Sequence, residues 1–145
     1  MARISDWNRA IVEEFRRNEG RVGGPFDGRP LLLLHHFGAR SGLERVNPLA
    51  YQRIGGSFAV FASMGGAPTN PDWFYNLRAN PGARIEVGTK TIDVVARIPD
   101  QEERDRIWEE QKRLMPAFAD YERRTTRQIP VVVLDPGDPG GPPEG

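Results

Sequence analysis

Two short polar turns carry the residue types that could do chemistry. The first is Gly38-Ala39-Arg40-Ser41-Gly42, with Arg45 three residues on; the second is Ser63-Met64-Gly65-Gly66-Ala67-Pro68. Glycine lets backbone amides approach a ligand closely and reach positive φ at little steric cost. Successive amides in such a turn make an anion-binding concavity. Arg40, Ser41 and Arg45 add two fixed positive charges and a hydroxyl, a set suited to phosphate or carboxylate. Taken alone, the first turn reads equally well as an ordinary hairpin turn with solvated arginines. The second turn adds weight because Asn70-Pro71-Asp72-Trp73 follows it at once, which predicts a helix with Asn70 as N-cap and Pro71 at its first position. A helix N-terminus is a further anion-friendly feature.

Apolar segments lead into both turns: Leu31 to Leu34 into the first, Phe58 to Ala62 into the second. The first is a continuous apolar run suited to a strand buried on both faces. Glu44 to Tyr51 alternates more and contains Pro48, which restricts it to an edge, a strand end or a bulge. Ser57 to Ala62 is another buried strand. The helix from Pro71 to Asn80 is ended by Pro81. Arg84 to Val87 and Thr91 to Ile98 alternate around Gly88-Thr89, a hairpin signal. Asp100 and Glu103 form a capping box for a helix to about Met115, with Ile107, Gln111, Leu114 and Met115 on one face. A short helix over Ala117 to Thr126 and a last strand from Pro130 to Leu134 complete the pattern. At the other end, Ser5 to Asn18 reads as an amphipathic helix with Ile4, Trp7, Ile11 and Phe15 on its apolar side, stopped by Gly20.

Neighbouring strands joined by short turns, with helices interspersed, predict an antiparallel α+β fold built on a small barrel. At 145 residues the chain makes one domain, expected over residues 1–135. Residues 136–145 contain only Gly, Pro and acidic side chains and are expected to be disordered.

Twenty basic and twenty acidic side chains balance, so no global field draws the protein to nucleic acid. The absence of cysteine excludes a disulfide, a thiolate nucleophile and a thiolate metal site. His35 and His36 are adjacent and point to opposite faces of a strand, so they do not make a metal site. The longest apolar runs are too short to span a membrane. The expected location is the cytoplasm, with peripheral membrane association left open, and monomer and homodimer are both open.

The assembled motifs resemble the deazaflavin-dependent nitroreductases, a branch of the flavin/deazaflavin oxidoreductases with a split β-barrel of the FMN-binding type. The matching pieces are Gly20-Arg21-Val22-Gly23-Gly24, Leu31 to His35, Gly38 to Gly42 with Arg45 and Pro48-Leu49, Ala62 to Pro68, Pro71-Asp72-Trp73, Asn76-Leu77, Ala79-Asn80-Pro81 and Arg123-Arg124-Thr125. The specific part runs from Ala62 to Pro81.

The resemblance implies binding of the deazaflavin coenzyme F420, with hydride transfer from its reduced form to an electron-poor acceptor, a quinone or a nitroaromatic or nitroimidazole compound. Carried over by position, Arg40, Ser41 and Arg45 would hold the phosphate and acidic tail. Pro48, Phe61, Ala62, Ser63, Met64, Gly65, Gly66, Ala67, Trp73 and Asn76 would frame the tail and ring. Ala50, Met115, Phe118 and Tyr121 would line the acceptor pocket, with Ser63 directed at the ring and Tyr121 a hydrogen-bond or proton donor. One departure stands out: relatives commonly carry lysine where this chain has Met64, which removes a point charge toward an anionic cofactor. Two other readings keep the fold, an FMN-dependent reductase and a non-catalytic carrier of a cofactor or fatty acid.

Overall fold

The computed structural model describes residues 6–23, 30–63 and 66–137, and of residues 6 and 7 only the backbone. Ile4, Ser5, Met64, Gly65 and the tail beyond Gly137 lie outside the described residues, as does the side chain of Trp7.

Among the described residues six strands close into an antiparallel barrel. They are β1 (Leu31–Phe37), β2 (Glu44–Ile54), β3 (Ser57–Phe61), β4 (Gly82–Val87), β5 (Lys90–Arg97) and β6 (Val131–Pro136), in the spatial order β1-β2-β3-β6-β5-β4. Closure comes from β1 pairing with β4, for instance Leu34 opposite Ile85. Among the described residues four helices surround it: α1 (Asp6–Arg17), α2 (Asp72–Ala79), α3 (Gln101–Leu114) and α4 (Ala117–Arg123).

The unbroken leucine run of β1 follows from burial on both faces. Leu32 and Leu34 point into the barrel with Phe58, Val60, Ile85, Val132 and Leu134, while Leu31 and Leu33 lie under Val12 and Phe15 of α1. Each such side chain contributes about 1.5–3 kcal/mol by leaving water. On the outer face of β3 and β6, Ala59, Phe61, Val131 and Val133 pack against Ile107 and Trp108 of α3 and Phe118 of α4. The third covering element, α2, contributes Trp73, Phe74 and Leu77 to the core inside the barrel.

Several expectations change in detail. Pro48 does not break β2: it pairs with Leu33, and β2 meets β3 only over residues 51–54, so at Pro48 the strand is bonded on one side and the missing N–H costs nothing. Pro71, not Asn70, caps α2, without a side-chain bond. Half of the capping box on α3 forms: Asp100 accepts from the Glu103 amide at 2.8 Å, but the Glu103 carboxylate turns to Arg97. On α3 the buried face is Ile107, Trp108 and Gln111, whereas Leu114 is 52% exposed. The last strand runs to Pro136, into the segment expected to be disordered.

Candidate functional site

Hydrogen bonds hold the first turn tightly. Gly38 donates to the Leu43 carbonyl and Gly42 to the Gly38 carbonyl, each at 2.9 Å, and the Ser41 hydroxyl accepts from the Leu43 amide at 3.2 Å. Gly42 sits at φ +70°, the conformation that favours glycine. The Ala39 amide reaches Asn76 Oδ1 at 2.9 Å, which ties the turn to α2. Thus several amides expected to face a ligand are engaged by the protein, and Ser41 closes its own turn. Among the described residues, the successive amides of Arg40 and Ser41 have no acceptor, and both side chains are exposed.

Arg45 flanks this turn on β2. Its Nη1 lies 3.7 Å from Asp72 Oδ2, a loose contact with a largely exposed carboxylate. Its Nε is buried without a hydrogen-bond partner, the one such side-chain atom among the described residues. A buried donor left unmade is costly, and an anion drawn into the turn would satisfy it. Behind Arg45, Asn76 is not the exposed helix residue that its polarity suggests: it is 6% exposed, and its Nδ2 contacts His36 Nδ1 at 3.1 Å.

Arg127 organises the second turn. Its Nε donates to the Ala67 carbonyl (3.0 Å), Nη1 to Asn70 Oδ1 (2.6 Å), and Nη2 to the carbonyls of Ala62 (3.0 Å) and Ser63 (3.1 Å). All four acceptors are uncharged, so the guanidinium brings a positive field to the turn. Burial is the main influence on this group and pulls its pKa below that of a free arginine. Asn70 therefore serves Arg127 and not the start of α2. Gly66, at φ +86°, donates to the Ser63 carbonyl at 2.9 Å. A Cβ there would meet the Tyr121 carbonyl and Arg124 Cβ at 2.8 Å, so glycine is what lets this turn rest on α4.

The pleat of β2 divides the remaining residues. Val46 and Ala50 pack outward, into the clusters under α1 and beside α3 and α4, and Pro48 shares their parity. Ala50 belongs to both clusters and so marks the shelf between the helical covers. Met115 and Tyr121, both half-buried, edge that shelf, and the Tyr121 ring stacks edge-on against Phe118 at 5.1 Å. Met115 also lines a cavity of about 320 Å³ with Pro30, Tyr51, Gln111 and Leu114.

The predicted residues thus fall into two groups joined along β2. Arg40, Ser41, Arg45 and Asn76 gather at the rim beside α2; Ala50, Phe61, Met115, Phe118 and Tyr121 gather on the outer shelf, next to Ser63, Gly66 and Ala67. Ala62 and Trp73 sit in the barrel core, Trp73 at 4% exposure, and Phe61 and Phe118 are buried between sheet and helices. His36, Asn47 and Arg127 carry no sequence signal, yet they hold the two turns in place. Among the described residues no group of His, Cys, Asp and Glu could hold a metal ion.

A closed antiparallel barrel with a cationic turn at one rim, and an apolar shelf backed by a second glycine turn, is the split-barrel architecture expected of the flavin/deazaflavin oxidoreductases. The family described as F420H(2)-dependent quinone reductase matches residues 7–136. A relative named F420H(2)-dependent quinone reductase, from Mycobacterium tuberculosis, is 39% identical over 124 residues, 83% of each chain. A solved structure described as an F420-H2 dependent reductase superposes with TM-score 0.68 at 37% identity, covering 74% of this chain and 95% of its own. Another, described as a domain-swapped dimer, gives TM-score 0.70 at 34% identity over 90% of this chain and 98% of its own. The chain belongs to the F420H(2)-dependent quinone reductase family.

Proposed function

We propose that this chain binds coenzyme F420 lengthwise along β2 and reduces an electron-poor acceptor, a quinone first and nitro compounds second. The orphaned Nε of Arg45, on the strand that leaves the turn carrying the unengaged Arg40 and Ser41 amides, carries the reading, because an anionic tail supplies the acceptor that this buried donor lacks. Family membership supports the choice of the deazaflavin over FMN. When bound, reduced F420 supplies a hydride, and the quinone takes up that hydride and a proton to become the hydroquinone.

The residues of the chain supply orientation. Arg40 and Arg45 hold the tail at the rim. Arg127 fixes the Ser63–Ala67 backbone against which the ring lies, and its charge favours an electron-rich partner there. Pro48 and Ala50 floor the shelf and leave it flat; Met115 and Phe118 exclude water from its far side. Tyr121 donates a hydrogen bond or proton to the acceptor oxygen. The test is anaerobic mixing of the protein and reduced F420 with a soluble quinone, following the return of the oxidised cofactor's absorbance. Turnover with F420 and none with reduced FMN is the expected result; binding without turnover would make the protein a carrier.

A further inference from the structure

We propose that His36 is a positioning residue, a buried neutral imidazole that holds the first glycine turn in its ligand-ready shape and releases it on protonation. The inference rests on the reading of that turn as the F420 tail site. His36 is 1% exposed, at the point where β1 runs into the turn. Its Nε2 lies 2.6 Å from Asn47 Oδ1 and its Nδ1 lies 3.1 Å from Asn76 Nδ2.

The proton positions follow from one fixed donor. The Ala39 amide can only donate, so the Asn76 atom 2.9 Å from it is the carbonyl oxygen. The Asn76 NH2 group then faces His36, which makes Nδ1 an acceptor and places the ring proton on Nε2, aimed at the Asn47 oxygen. A second proton on Nδ1 would set donor against donor. Relief requires Asn76 to rotate its amide, which withdraws the oxygen from Ala39 and frees the turn.

Charged and titratable groups act on the ring from three elements: Arg45 on β2, Asp72 on α2, and His35 from the opposite face of β1 itself. Burial is the strongest influence and, with Arg45 and His35, holds the ring below the usual histidine range, against smaller opposite pulls from the Asn47 hydrogen bond and Asp72. The neutral form is the ligand-ready one, so affinity for F420 falls as the solution is acidified. A mere electrostatic role for His36 has the opposite sign, because a protonated ring would attract an anionic tail more strongly.

The experiment measures the dissociation constant of oxidised F420 from about pH 7.5 to about pH 5, for the wild type and for His36→Gln, whose amide can donate and accept but does not titrate in this range. The variant reports any titration of the ligand itself. The expected result is an affinity that weakens in acid more steeply in the wild type, approaching about tenfold per pH unit for one linked proton. In parallel, ring 15N spectra of the unliganded protein should show the Nε2–H tautomer, with the Ala39 amide resonance moving as the ring titrates. Wild-type affinity that rises or tracks the variant, an Nδ1–H tautomer, or an Ala39 amide indifferent to pH overturns the proposal. Failure of F420 to bind at any pH would sink the cofactor reading instead, and the spectra would still decide the role of His36.

Discussion

Arg127 donates its Nη2 to the Ser63 carbonyl at 3.1 Å, across a sequence gap of 64 residues, and so locks the second glycine turn from beneath. The same side chain reaches Ala62, Ala67 and Asn70, so one guanidinium ties together the described residues on both sides of the turn.

Replacing Arg127 by Leu strands four acceptors at once. We expect a loss of about 2–4 kcal/mol in urea unfolding, with a larger fractional loss of F420 affinity than of fold. Arg127→Lys should recover little, since an ammonium cannot span four diverging acceptors. Full rescue by Lys would mean that charge alone matters there.

Gly66→Ala places a methyl group against the Tyr121 carbonyl, in a backbone conformation that L-residues avoid. The expected cost is about 1–3 kcal/mol in thermal unfolding, with a fall in acceptor turnover as the turn lifts from α4. An unaltered melting temperature would contradict the close packing described.

Trp73→Ala should act on stability. Its ring fills the barrel core beside Phe74 and Leu77, so truncation should cost about 3–5 kcal/mol. Loss of F420 affinity at unchanged stability would instead place the ring at the cofactor.

Acid should loosen α1. Burial by itself would raise the Glu86 carboxyl, but hydrogen bonds from Arg16 and His35 together with their charges outweigh it and hold the group below the ordinary glutamate range. Arg16 on α1 contacts Glu86 at 2.8 and 3.1 Å, and His35 Nε2 contacts it at 2.5 Å. A depressed folded-state pKa adds stability that is present above the unfolded value, about 4.3, and lost as pH falls below it. Stability curves over that window should be flatter for Glu86→Gln; equal slopes would show that the contact carries no linkage.

The barrel was legible because its strands obey local rules. β1 is buried on both faces and reads as four leucines, and the β4–β5 hairpin alternates around Gly88-Thr89. Both glycine turns announce themselves through composition. What holds them does not: Arg127 lies in a polar stretch, Thr125 to Gln128, that looks like any loop, and its partners are backbone carbonyls that carry no side-chain signature. His36 and Asn76 are 40 residues apart and meet only because α2 docks on the barrel rim. Trp108 displaced Leu114 from the buried face of α3 for a similar reason, since Phe61 and Phe118 sit over the middle of the helix. Periodicity finds a face but not its centre.

Tyr121→Phe tests the proton donor. If the hydroxyl serves the acceptor, kcat should fall about 10²-fold or more while F420 affinity holds. Unchanged turnover would remove that role and leave the ring as packing on Phe118.

The measurement that bears most directly on the central claim is a fluorescence titration of oxidised F420 against the wild-type protein and Arg45→Ala, with FMN as competitor. The account predicts tight binding that FMN does not displace, weakened about tenfold or more in the variant, with little loss of fold stability because the removed Nε had no partner and the Nη1 contact to Asp72 is loose and exposed. Equal affinity in the two proteins, or displacement by FMN, would contradict the assignment of this rim to the deazaflavin tail.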